Sequence, residues 1–285
     1  MAAQLSVNQK SSKLRRVRTP LSDTVGKILM ITLAVIPLVA LILPMAVIVI
    51  VSFDTGQILR FPPQSFSLDR YKAIFALNGF LESVQLSVTV AFIVVVIDLI
   101  LGVPASIALV RGKFPGKSLI IGFLQSPMMV PGIVVGISIL FYLSFVGLNM
   151  SVFMMALSHV VITLPFVVSI TYARMRSSDP TLEEAAQDLG ANRWQVFQHV
   201  LVPHLLPSII GGSAFAFLLS LDNLPTSIFT APIIDVPMPV YLFRLLIYNI
   251  DPIVAPIATL QIILTLIVMF IANRTLGAGG IVDRS

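Results

Sequence analysis

Gly112-Lys-Phe-Pro-Gly-Lys-Ser118 offers glycines, a lysine and a hydroxyl, the residue types of a loop that cradles nucleotide phosphates. The spacing does not permit it. A phosphate loop needs four residues between its glycines for the backbone to wrap the anion, and three stand here, with Arg111 where the first glycine would fall. An apolar run precedes the stretch in place of a strand, so any ATP used must be bound by another chain. His159, His199 and His204 are too scattered to make a zinc-binding pair, and His199 and His204, which flank Pro203, read as structural. The absence of cysteine excludes disulfides, a thiolate nucleophile and thiolate metal sites. Within apolar sequence the ionisable residues are Asp98 and His159, too few for a membrane-embedded enzyme.

The elements that must position these residues are set by lipid. Of the 285 residues 57% are hydrophobic and 11% charged, with a mean hydropathy of +0.99, whereas soluble domains carry about 25% charged residues. A helix needs about 20 apolar residues to cross the hydrocarbon core, and runs near 28–51, 83–110, 118–146, 151–173, 206–221 and 253–273 predict six spans in an all-α polytopic bundle. The run 28–51 is too long for a cleaved signal peptide. The chain accordingly divides into a basic tail (1–27), a first span (28–51), an outer loop (52–82), a core (83–273) that includes a polar loop at 174–205, and a second tail (274–285).

Positive charge gives the orientation. Of the 18 lysines and arginines, 14 fall in the two tails and in the loops at 111–117 and 174–205; Arg60, Arg70, Lys72 and Arg244 fall on the other side. Basic residues are retained on the cytoplasmic side, which predicts cytoplasmic termini. The net charge of +5 therefore reports topology and contact with lipid headgroups, not nucleic acid. Prolines at 104, 127, 131 and 165 should bend or break spans, and Gly132-x-x-x-Gly136 should allow close helix packing, within the chain or with another. The proline-rich 222–252 segment should hold a helix around Val240–Ile247, either interfacial and anchored by Tyr241 and Tyr248, or a gate.

The loop from Ser178 to Pro203 reads as two short helices. Asp179 precedes Pro180 at the start of the first, Glu183 and Glu184 sit at its positive end, and Gly190 supplies the left-handed stop. Asn192 with Gln195 forms a capping pair for the second, and Pro203 and Pro207 turn the chain back to the membrane. Leu182, Ala185, Ala186 and Leu189 share one face of the first helix; Arg193, Val196, Phe197 and Val200 share a face of the second. Each face either packs on the protein's own helix ends or enters a groove of a cytoplasmic partner, and pattern alone leaves both open.

Glu184-Ala-Ala, then Gly190, then Val200-Leu-Val-Pro203 resembles the EAA motif of binding-protein-dependent ABC importer permeases of the MetI-like fold, over roughly Leu81 to Asn273. The resemblance implies a non-enzymatic transport subunit in a bacterial inner membrane. It also implies a second permease as partner in a heterodimer, two ATP-binding subunits that hold the ATP and Mg, and an extracytoplasmic solute-binding protein. Carried over by position, Glu184, Ala185, Ala186, Gly190 and Pro203 would couple this chain to the ATPase. The stretches Phe61-Pro-Pro-Gln-Ser-Phe-Ser-Leu-Asp-Arg-Tyr71 and Leu221-Asp-Asn-Leu-Pro225 are similar to the spermidine/putrescine type, and permeases for ferric iron, phosphonate, opine or thiamine share much of the pattern. Asp98, deep in the apolar run 84–110, and Asp222, at the outer end of the fifth span, are candidate steps in a cation path. In a proton-coupled carrier, the rival mechanism, Asp98 would be the proton site.

Overall fold

The computed structural model describes residues 20–249 and 251–279, which leaves most of the basic N-terminal tail and the last six residues of the C-terminal tail outside the described residues. Contacts divide the chain between Ile48 and Val49 into two units. The first is dominated by α1 (Pro20–Val51), a 32-residue apolar helix that begins earlier than the expected 28, contains Pro37 and Pro44, and exposes most of its side chains. Such a surface suits lipid, where apolar exposure costs nothing.

In the second unit, α3 (Phe80–Arg111), α6 (Val152–Arg176) and α9 (Val202–Leu221) pack on one another as a central triplet, with α12 (Val254–Gly279) against α9. Side chains from the triplet fill the core in layers. Near the α3 N-terminus, Phe80 joins Ile74 of the short helix α2 (Asp69–Ile74), Met238, Ile253 and Ile257. Val90 and Val94 meet Met155, Ala156 and Val160 midway. At the far end Val103 meets Met175, Leu201 and Leu205.

Two expected spans differ from the sequence reading. The run 118–146 is not one helix: α4 (Lys117–Gln125) continues as a 3₁₀ turn through Met129, and α5 (Gly132–Val146) leaves it at an angle of 105°. Pro131 imposes this, because its ring forces the preceding residue out of the helical region, and Val130 is extended with ψ 131°. Among the described residues five helices are thus long and apolar enough to span, or six if the bent pair counts as one.

The second difference lies at the fifth span. The second loop helix, α8 (Arg193–Val196), does not stop before the membrane but runs through a π-helical turn, Phe197–Leu201, directly into α9. Val202 donates to Phe197 O across five residues, so the extra residue accommodates Pro203, which has no N–H to give. The fifth span, expected at 206–221, is part of a 29-residue helix that starts at Arg193.

The 222–252 segment holds α10 (Leu224–Thr230) and α11 (Met238–Asn249). α10 nests against α5, where Gly132 and Gly136 permit the approach. A Cβ on Gly136 would stand 3.0 Å from Pro225 O, Thr226 Cα and the Phe229 ring. Backbone cannot yield cheaply there, so Gly136→Leu is expected to destabilise the protein by about 1–3 kcal/mol. Thermal unfolding of the detergent-purified complex would register this, while Gly122→Leu, where a Cβ would meet nothing within 4 Å, should leave the midpoint unchanged.

Candidate functional site

The look-alike phosphate loop is structural. Lys117 turns back on the end of α3 and donates to Val110 O at 3.2 Å and Gly112 O at 3.4 Å, so its charge caps carbonyls that the helix leaves free. Arg111, the last residue of α3, reaches instead into the polar loop. Its guanidinium bonds the Glu183 carboxylate, Nε to Oε1 at 2.9 Å and Nη2 to Oε1 at 2.7 Å, and donates to Ser178 O at 3.2 Å. Both side chains are at most a quarter exposed, so water screens this pair less than a surface pair.

Glu183 belongs to α7 (Thr181–Asp188), the first loop helix. Thr181 N–H donates to Asp179 Oδ1 at 3.0 Å, and that bond holds the Asp179 carboxyl below its ordinary range. Gly190 sits at φ +89°, the left-handed conformation that side chains resist, and turns the chain from α7 to α8. The capping box at α8 is complete: Gln195 N–H to Asn192 Oδ1 at 2.9 Å and Asn192 N–H to Gln195 Oε1 at 2.8 Å.

The two apolar loop faces part company here. Val196 is 4% exposed and Phe197 packs on Val103, Met175, Leu201 and Leu205, so the second helix spends its face on its own protein. The face of α7 has no such cover: Leu182 is 55% and Leu189 91% exposed, with Trp194 exposed beside them. Glu184, Ala185 and Gly190 are exposed and Ala186 is half-buried, so four of the five residues expected to couple lie on α7 or at its end with their surfaces at least partly open. Pro203 lies apart, in the first turn of α9.

A second polar assembly lies inside the bundle. His159 of α6 is 1% exposed, and both ring nitrogens are engaged, Nδ1 with Ser220 Oγ of α9 and Nε2 with Ser227 Oγ of α10, each at 2.9 Å. Beside it the hydroxyls of Ser158 and Thr230 stand 3.0 Å apart. One imidazole thus ties three helices together. By sequence His159 stands out only as one of two ionisable residues in the spans; the signal for its role is the hydroxyl spacing Ser220, Ser227, Thr230 in apolar sequence.

Asp98 faces the bundle interior, as expected, and is fully buried beside Thr163, one turn along α6 from His159. Among the described residues neither carboxylate oxygen has a partner at hydrogen-bonding distance, although an ionised carboxylate costs roughly 2.5–3.5 kcal/mol at the centre of a membrane helix. Asp222 is exposed and accepts from Gln261 Nε2 of α12 at 2.8 Å. The two acids therefore face different helices, α6 and α12, and the structure does not bring them together.

Comparison with known proteins agrees with this architecture. Residues 98–276 match the family described as "Binding-protein-dependent transport system inner membrane component". The chain is similar to a spermidine/putrescine transport system permease protein of Shigella flexneri, 28% identical over 84% of this chain and 92% of the relative. It is likewise similar to a putrescine transport system permease protein of Escherichia coli K12, 31% identical over 80% and 84%. Among solved structures, a chain of a bacterial ABC transporter that imports the acidic polysaccharide alginate shares the fold, with TM-score 0.71 and 19% identity over 90% of this chain and 98% of that one.

The imidazole bridge predicts a stability effect. His159→Ala removes the shared partner of two buried hydroxyls and should cost about 1–3 kcal/mol. A denaturation midpoint for the purified protein indistinguishable from that of the wild type would show that the bridge carries no net weight.

Proposed function

The chain belongs to the family of binding-protein-dependent transport system inner membrane components, and from that premise we propose that it carries polyamines through an ATP-driven importer coupled by the α7 surface. It is the permease subunit of an ABC importer, a transport subunit and not an enzyme. The observation that carries the coupling role is the open apolar face of α7, Leu182 and Leu189, held to α3 by the Arg111–Glu183 pair. A helix with such a face, beside Ala185 and Ala186, fits a groove on a folded partner. Glu184, Ala185, Ala186 and Gly190 form that docking surface, and Pro203 supports it from the base of α9.

The complete transporter in this reading pairs the chain with a second, non-identical permease, two ATPases that bind ATP and Mg, and an extracytoplasmic solute-binding protein. Closure of the ATPases moves α7, and α7 moves α3 through Arg111. Both termini and α7 face the cytoplasm, a placement supported by 14 of the 18 basic residues. The polyamine assignment rests on the two relatives whose printed names specify those solutes. Asp98 and Asp222 remain proposed steps for the cation, each in its own surroundings.

Gly190→Val and Glu184→Lys should abolish ATP-driven uptake while the protein still inserts and assembles. A β-branched residue resists φ +89°, and a lysine at the first turn of α7 opposes the helix dipole and reverses the charge of the docking surface. Uptake at the wild-type rate in both would exclude α7 as the coupling element. A Gln187→Cys label that reacts only from outside would reverse the topology, a clean readout because the native chain has no cysteine.

The acid pair has its own test. Asp98→Asn and Asp222→Asn keep shape and remove charge, so putrescine uptake should fall severalfold with basal ATPase activity unchanged. Wild-type uptake kinetics in both would remove these acids from the path.

A further inference from the structure

A cavity of about 740 Å³ lies at the end of the bundle opposite α7, between the first turns of α3, the start of α6, residues 234–236 and α11. Its walls follow from helical spacing. Glu82, Gln85, Leu86 and Thr89 recur at the interval that puts side chains on one face of α3, and Tyr241, Arg244, Leu245 and Tyr248 do the same on α11. The space is of the size that holds a small ligand.

The walls are fixed in place. Met238 N–H donates to Ser87 Oγ at 2.7 Å, which ties the segment carrying Asp235 to α3. Tyr241 is held at both ends: its ring packs edge-on against Phe80 at 6.3 Å between centroids, and its hydroxyl donates to Asn78 O at 3.2 Å. Glu82 borders the same cavity as Tyr241, and burial first, then that carboxylate's charge, push the Tyr241 hydroxyl above its ordinary range. Neither Glu82 nor Asp235 has a lysine or arginine within 4.0 Å among the described residues, although Arg244 borders the same cavity.

We propose that this cavity is an entry subsite for a linear primary amine, with Glu82 and Asp235 accepting ammonium hydrogens and the Tyr241 and Tyr248 rings lying against the cation and its methylene chain. An alkylammonium has three N–H donors and no acceptor, which suits carboxylates without a counter-ion, and its charge is attracted to aromatic faces. Arg244 opposes the cation and sets how tightly it is held. The subsite lies where solute would first meet this chain from the side opposite the coupling surface. It rests on the polyamine reading and adds to it a place and a set of groups, separate from Asp98 and Asp222.

The test measures putrescine binding to the purified permease–ATPase complex by calorimetry, without the binding protein, alongside ATP-driven putrescine uptake by the full transporter in liposomes. Exposed charge pairs are worth about 0.2–1 kcal/mol, so Glu82→Gln and Asp235→Asn should each weaken binding up to about fivefold, and Arg244→Gln should strengthen it by a similar factor. Butane-1,4-diol, the neutral analogue, should not bind. Uptake by the wild type with no putrescine binding, or with binding that all three variants leave unchanged, would overturn the subsite and leave the polyamine reading standing. A wild-type transporter that takes up no polyamine would overturn both.

Discussion

Hydrocarbon supplies no hydrogen-bond partner, and that constraint shapes this chain more than any contact within it. Each backbone N–H and C=O at membrane depth must find a partner inside the protein, so the long apolar runs of the chain are helical. The same rule governs the departures from regular helix. Where Pro131 breaks α4 from α5, Gly132 and Gly136 let α10 close over α5. Where Pro203 removes a donor, a π turn shifts the ladder by one residue and α8 runs on into α9. One cluster of polar side chains does the same: His159 bonds Ser220 and Ser227 and in doing so joins α6, α9 and α10.

These joints give the bundle a mechanical continuity. α7 is tied to α3 by the Arg111–Glu183 pair, and beyond the Gly190 turn the chain enters α8, which is the beginning of the same helix as α9. Arg174 of α6 donates to His204 O of α9 at 3.2 Å, close to the point where the π turn ends. α3, α6 and α9 are therefore linked at the end that bears the loop, and α6, α9 and α10 are linked through His159 deeper in the bundle. An element that binds a moving partner has to be joined in this way if its motion is to open or close a path elsewhere.

What the sequence made legible was governed by short range. Apolar runs located the long helices, the Asn192–Gln195 capping box and the Gly190 turn were readable because both ends of each interaction lie within a few residues, and the EAA pattern carried the family. The angle at Pro131 was legible only as a break, because its size depends on where α10 packs. The continuity of α8 with α9 was hidden by Pro203 and Pro207, since a π turn leaves no compositional mark. Arg111–Glu183 and His159–Ser220 pair residues 72 and 61 positions apart, beyond the reach of any local pattern. The loop faces show the same limit: Val196 and Leu189 look equally apolar in sequence, yet one is 4% and the other 91% exposed.

If α7 works on the bundle through Arg111, the decisive quantity is the number of ATP molecules hydrolysed per solute imported. In the reconstituted transporter, Arg111→Ala leaves the residues of the α7 face unchanged but cuts the tie of α7 to α3. Hydrolysis should continue while uptake falls, and the ratio should rise severalfold above that of the wild type. A ratio equal to that of the wild type, whatever the absolute rates, would contradict the account.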